Sequence, residues 1–194
     1  MFARFTTAAQ TSPWEKVRLE SDRFYLRPIS AEDSVDMYLY ASDPEVVRYL
    51  PWEPAYSPEA VRPHLQEQVA RRRRGESLEM AIILRETGRM IGSTNLMDMR
   101  AQRGQAEIGY LLSQFYWGRG IMTEATALTL GYGFCDIGLE KIIAWADEDN
   151  IASQRVMQKL GMTLAGAETR TVKYERRPYV RYQIERAAWE ETNK

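Results

Sequence analysis

Cysteine and histidine are nearly absent: the 194 residues hold one of each, Cys135 and His64. A single thiol excludes an internal disulfide and any cysteine-based metal cluster. One imidazole without a second His or Cys beside it offers neither a zinc site nor a histidine-based triad. No apolar run approaches the roughly 18 residues of a membrane span, and Met1-Phe2-Ala3-Arg4-Phe5-Thr6-Thr7 lacks the long apolar segment of a signal peptide. The expectation is therefore a soluble, cytoplasmic protein. Charge of one sign is also lacking, since 26 Lys and Arg against 27 Asp and Glu leave a net charge of −1. That balance gives no global pull toward nucleic acid or a membrane surface. The one basic run, Arg71-Arg72-Arg73-Arg74, ends a predicted helix from Pro58 to Gly75, where cations complement the negative end of the dipole. With no aromatic residues interleaved, it reads as a solvated helix end. Internal repeats and low-complexity segments are missing too.

The length and a hydrophobic content of 44 % suit one globular domain with a core of useful size. Residues 1–16 read as an N-terminal arm and 17–194 as the domain. A strand from Arg23 to Pro28 leads into a helix capped by Ser30, with Asp33 as the capping-box acid, running through Tyr40. Asp43-Pro44 suggests a second short helix to Leu50. Pro51-Trp52-Glu53-Pro54 is a rigid loop, and Ser57-Pro58 begins the next helix with proline at its first position. Three strands follow, Met80–Arg85, Arg89–Met97 and Gln105–Leu112, joined by turns at Thr87-Gly88 and Arg103-Gly104. A helix over 123–135 places Cys135 on its apolar stripe, as a buried core residue. Lys141–Ala146 is a strand, Asn150–Leu160 a helix closed by Gly161, and Met162–Tyr174 with Tyr179–Ile184 a hairpin turning at Glu175-Arg176-Arg177-Pro178. The order predicts an α/β fold: a mixed, mostly antiparallel sheet with helices on both faces.

The chemistry gathers around the strand ending Glu107-Ile108-Gly109-Tyr110-Leu111-Leu112 and the turn Trp117-Gly118-Arg119-Gly120-Ile121-Met122-Thr123-Glu124-Ala125. A helix start leaves its first N–H groups unpaired at the positive end of the macrodipole, and glycines let backbone approach an anion. On spacing alone the segment fits either an anion cradle or plain turn chemistry.

The turn resembles motif A of the GNAT acetyltransferases, most closely in the branch that acetylates ribosomal-protein N-termini, where W-G-K-G precedes a T-E-A helix start. Asn150-Ile151-Ala152-Ser153-Gln154-Arg155-Val156-Met157-Gln158-Lys159-Leu160-Gly161-Met162 is similar to the same family's N-x-x-S-x-x-V-x-x-K-L-G-F segment. Tyr25-Leu26-Arg27-Pro28 resembles its first strand. The resemblance spans Val17 to Ile184 and implies the acyl-CoA N-acyltransferase fold, splayed at the cofactor site, and transfer of acetyl from acetyl-CoA to an amine without a metal. It implies that Trp117, Gly118, Arg119, Gly120, Ile121, Met122 and Thr123 meet the pyrophosphate and Leu111, Leu112 and Ser113 the pantetheine arm. Trp117 stands where many members carry Gln or Arg, and Met122 where they carry Gly or Ala. The implied partners are acetyl-CoA and an amine acceptor, with the chain a monomer or homodimer.

Acetyl transfer needs a proton taken from the amine and one delivered to the departing sulfur. Glu107, a carboxylate inside an apolar strand, is either the general base or an outward-facing strand residue. Many GNAT members place a tyrosine acid where this chain has Met157. Ser153 is then the candidate acid, its other reading being a first-turn helix serine bonded to backbone. Asn150 is a helix cap to which the resemblance adds a pantetheine contact. Trp52 and Tyr110 are candidate walls of the acceptor groove, although aromatic packing alone explains Trp52 equally well. Two functions fit: an N-acetyltransferase acting on a protein N-terminus or a small amine, or a non-catalytic acyl-CoA-binding domain on the same fold.

Overall fold

A computed structural model describes residues 14–100 and 104–192. Its strands are β1 (Leu19–Glu20), β2 (Phe24–Pro28), β3 (Leu78–Leu84), β4 (Met90–Arg100), β5 (Gln105–Leu112), β6 (Lys141–Asp147), β7 (Thr163–Val172) and β8 (Glu175–Glu185). The helices are α1 (Ser34–Ala41), α2 (Pro58–Arg73), α3 (Ile121–Tyr132), α4 (Ile151–Lys159) and α5 (Arg186–Thr192). All strands join one sheet in the order β1-β2-β3-β4-β5-β6-β8-β7. Neighbours are antiparallel except β5 and β6, which run parallel.

Side-chain alternation divides the core between the two faces. Leu78, Met80 and Ile82 of β3 and Ile108 of β5 face α3, packing with Ile121, Met122, Ala125 and Leu130. On the other face Ala81 and Ile83 meet Met37, Tyr40 and Ala41 of α1 and Val61 and Leu65 of α2. β3 is buried along its whole length, as a central strand covered on both sides must be.

The helix starts follow the expected signals. The Ser30 N–H donates to Asp33 Oδ2 at 2.8 Å, and the Ser57 side chain accepts from the Ala60 N–H before the proline of α2. The basic run departs from the expectation of solvated cations. Arg72 is buried, donating to the Ile29 carbonyl at 2.8 Å and to Glu15 at 2.9 Å, while Arg74 pairs with Glu67 and Glu76. Part of the expected arm is thereby fastened, for Glu15 holds Arg72 and Trp14 packs on the core; residues 1–13 lie outside the described residues. His64 sits 3.3 Å from the buried carboxylate of Glu79. No helix among the described residues is long and apolar enough to cross a membrane.

Three other expectations are corrected, and one helix is added. Residues 43–50 form a run of turns rather than a helix: Asp43 accepts from the Glu45 N–H at its side chain and from Val46 and Val47 at its carbonyl, and Tyr49 is held from outside by Asp149 and Tyr179. Cys135 is exposed: residues 133–137 form a widened helical turn that swings it outward while Phe134 enters the core. The β7–β8 hairpin turns at Lys173-Tyr174, both with positive φ, two residues before the expected place. Pro178 lies in β8 instead, where its carbonyl accepts from the Glu148 N–H; its missing donor thus faces away from β7 and costs that ladder nothing. Helix α5, which the sequence reading leaves out, closes the chain, and its Trp189 packs 5.5 Å from Phe134, centroid to centroid.

Candidate active site

β5 and β6 pair over three residues only, Gln105 with Lys141, Ala106 with Ile142 and Glu107 with Ile143. Beyond Glu107 the strands part, while β5 stays bonded to β4 as far as Leu112. The sheet therefore opens a wedge with Glu107 at its apex. A wedge within a sheet withholds backbone hydrogen bonds that a closed ladder would make, leaving polar groups for another molecule to meet.

At the mouth of the wedge the chain turns through Trp117–Gly120 into α3. Gly118 and Gly120 hold φ of 73° and 74°, a left-handed conformation that strains any residue with a Cβ. The first intrahelical bond runs from the Glu124 N–H to the Gly120 carbonyl, so the N–H groups of Ile121, Met122 and Thr123 precede it without helical acceptors. Residues 117–120 are exposed, whereas the Met122 side chain is buried in the core cluster shared with β2 and β3. The Trp117 indole N–H donates to the Leu112 carbonyl at 2.8 Å and ties the turn to the end of β5. Ser113 gives its N–H to the Ile91 carbonyl at 2.9 Å, which anchors the strand end to β4.

A residue that the sequence reading missed braces the same turn. Arg23 donates to the Arg119 carbonyl at 2.8 Å and pairs with Glu124 in the first turn of α3. An arginine nearly a hundred positions upstream carries no local signal of that contact. The cradle, with its dipole, free N–H groups and open approach, fits a diphosphate. Replacing Gly120 by Val is expected to weaken CoA binding about 10-fold, measured by calorimetry. Space around a Cβ there is open, so the effect comes from backbone strain of roughly 1–2 kcal/mol.

Across the wedge, Asn150 caps α4 by accepting from the Ser153 N–H at 3.1 Å. The Tyr110 hydroxyl, on the face of β5 that looks toward α3 and α4, donates to the Ser153 carbonyl at 2.9 Å and lies 3.0 Å from Ser153 Oγ. The structure thus brings Tyr110, Ser153 and Asn150 together on the side of the sheet opposite Glu107. Burial pushes the Tyr110 phenol up to about 12, the Ser153 contact offsetting this in part. Met157 is wholly buried in the core beneath α4.

Glu107 points to the face shared with α1 and α2. Burial raises its carboxyl above the usual range; nearby Arg170 works against the rise, and Asp98 and Glu168 add to it. A half-buried carboxylate with a raised pKa is a candidate functional group. Trp52 lies apart from this centre. It lines a cavity of about 410 Å³ with Met37, Tyr56 and His64, between α1, α2 and the 51–56 loop.

These elements have counterparts in known proteins. The acetyltransferase (GNAT) domain family matches residues 23–163. The chain is 30 % identical over 148 residues to the uncharacterized N-acetyltransferase p20 of Bacillus licheniformis, covering 76 % of this chain and 83 % of that one. It is 26 % identical over 145 residues to the spermidine N(1)-acetyltransferase of Escherichia coli, covering 73 % of each. Among solved structures, a GNAT-family acetyltransferase from Bacillus anthracis superposes with a TM-score of 0.78 at 25 % identity, over 88 % of this chain and 99 % of that one. The ribosomal-protein-S5-alanine acetyltransferase of Vibrio fischeri gives 0.76 at 22 % identity, over 90 % and 99 %, a likeness of fold. With the family match over most of the chain, a sheet parted beyond Glu107 and a glycine turn opening α3, the chain belongs to the GNAT acetyltransferase family and is an acetyl-CoA-dependent acetyltransferase.

Proposed function

We propose that this enzyme acetylates a primary amine presented to the Glu107 face of the wedge, with the amine on a peptide N-terminus or a small molecule. The observation that carries the reading is the position of Glu107 at the apex of the β5–β6 opening, between the donor side and the face shared with α1 and α2. Acetyl-CoA supplies an activated acetyl thioester when bound. The backbone N–H groups over 118–123 hold its diphosphate, and Leu111, Leu112, Ser113 and Asn150 flank its pantetheine arm. Glu107 accepts the proton of the incoming ammonium, directly or through one water, and its raised pKa brings its basicity closer to that task. On the opposite side, Ser153 with Tyr110 behind it supplies hydroxyl hydrogen bonds to the departing sulfur.

The same site in a non-catalytic acyl-CoA-binding domain would need the cradle but no tuned carboxylate at the apex, so Glu107 favours the enzyme. The test is thiol release from acetyl-CoA in the presence of an amine panel, with the product identified by mass. The proposal expects amine-dependent release and an acetylated amine. Saturable CoA binding with no acetylated product from any amine would support the binding domain instead.

A further inference from the structure

On the face that carries Glu107, the half of the sheet made by β6, β8 and β7 bears a stack of charges and rings with no part in the proton transfers above. Trp145 of β6 stands opposite Arg181 of β8, which in turn pairs with Gly166 of β7. The Arg170 guanidinium carbon lies 3.8 Å from the Trp145 ring centroid and 5.3 Å from that of Tyr179. Arg181 approaches the same indole at 5.7 Å. Two guanidinium groups gathered at one indole repel each other, so an anion between them is favoured.

The neighbouring charges are unevenly matched. Arg170 Nε donates to Glu168 at 2.6 Å and its side chain is one-third exposed, at 33 %, which leaves its terminal nitrogens for another acceptor. Arg181 gives one terminal nitrogen to the Ala165 carbonyl at 3.0 Å, and its Nε is buried with no partner. Nearby Arg177 is already neutralised by Asp147 at 2.6 Å, and Asp98 by Arg71 at 3.4 Å. Among the described residues this face therefore presents a carboxylate without a direct cationic partner, Glu107, and a guanidinium without an anionic partner, Arg181. Ile143 pairs with Glu107 and Trp145 is two residues further on, which sets the two poles on the order of 10 Å apart at the backbone.

We propose that Trp145, Arg170 and Arg181 form an anion subsite of the acceptor groove, so that the preferred acceptor is an amine carrying an acidic group one or two residues away, as in a peptide N-terminus followed by Glu or Asp. The proposal rests on the reading of Glu107 as the place where the amine is received. A polycationic acceptor would set its second ammonium against two guanidinium groups, which disfavours the polyamine class. Arg170 is close enough to Glu107 to act on its ionisation, so the two subsites adjoin.

The experiment compares three probes with the intact protein and acetyl-CoA: Ala-Glu-Gly-amide, Ala-Gln-Gly-amide and spermidine. The expected result is a kcat/KM at least about 10-fold higher for the Glu peptide than for the Gln peptide, carried mainly by KM, with spermidine poorest. Arg170→Gln and Arg181→Gln are each expected to bring the Glu/Gln ratio close to one. A wild-type ratio near one, a preference for spermidine, or a ratio that both variants leave intact overturns the subsite while leaving acetyl transfer standing. If no probe is acetylated, that outcome bears on the choice of amine and leaves the family's transfer chemistry standing. The subsite is then judged by calorimetric binding of the two peptides to the CoA-saturated protein, where the same 10-fold preference is required and equal affinities reject it.

Discussion

Glu107→Gln is expected to lower turnover by roughly 10²-fold or more while leaving acetyl-CoA affinity nearly intact, because the amide keeps the size of the side chain but cannot accept the proton. The wild-type enzyme should lose activity on its acid limb as Glu107 is protonated, at a pH above the ordinary carboxylate range, since burial raises its pKa. In the variant that limb should vanish. The sign for stability runs the other way. A carboxyl whose folded-state pKa is raised favours folding at low pH and loses that contribution as pH rises through the raised value, because the ionised form is the one that burial penalises. At neutral pH Glu107→Gln should therefore unfold at a temperature equal to or above the wild type. Steady-state rates across pH and a thermal melt read both effects. An unaltered pH–rate profile, or a loss of activity that simply follows a loss of folded protein, would remove Glu107 from the chemistry.

Ser153→Ala should cost about 10-fold to 10²-fold in turnover with a smaller effect on acetyl-CoA affinity, since Asn150 still caps α4. Tyr110→Phe is expected to fall in the lower part of that range, because its hydroxyl touches Ser153. The phenol, pushed up to about 12, is several pKa units less acidic than a thiol near 8.5, so full proton transfer from it is uphill. In the proposed mechanism the Ser153 hydroxyl bonds the developing thiolate while Tyr110, donating to the Ser153 carbonyl, positions it, and removing both hydroxyls should cost less than the product of the single losses, as groups in one network do. Met157→Tyr offers no rescue. Met157 has no exposed surface, and a phenol there would overpack the core by about 1–3 kcal/mol. Kinetics on the single and double variants decide the matter, and wild-type rates for Ser153→Ala would mean that the thiolate leaves without side-chain help.

Much of this architecture was legible wherever the signal was local. The glycines at 118 and 120 marked a left-handed turn before α3, Ser57-Pro58 marked a helix start, and β5 matches its expected bounds, while β3 begins two residues earlier and β4 runs three residues further than expected. Local signals misled where a tertiary contact decided. Asp43-Pro44 has the form of a helix start, yet its segment is held by the Tyr49 hydroxyl on the Asp149 carbonyl and the Tyr179 hydroxyl on the Tyr49 carbonyl. Pro178 reads as a turn residue, but the chain turns at Lys173-Tyr174, two residues with no ordinary preference for positive φ. Cys135 reads as core on an unbroken helical stripe, and the widened turn over 133–137 breaks the period.

The candidate site divides in the same way. Glu107, Asn150 and Ser153 stand in or beside motifs and can be picked out singly. Alternation along β5 alone puts Glu107 and Tyr110 on opposite faces, but which helices cover each face depends on the tertiary packing, and the wedge depends on pairing that stops after three residues. Arg170 and Arg181 share the β7–β8 hairpin, but Trp145 lies on β6 with α4 in between, and only the β6–β8–β7 order joins the three. Arg23 reaches Arg119 and Glu124 in the same non-local fashion.

The most direct test of the central claim is a crystal structure of the enzyme with CoA and an N-terminal peptide. The diphosphate should lie on the N–H groups over 118–123, the sulfur in the β5–β6 wedge within hydrogen-bonding reach of Ser153, and the peptide amine on the Glu107 face. A diphosphate bound anywhere else, or an amine on the Tyr110 side of the sheet, would contradict it.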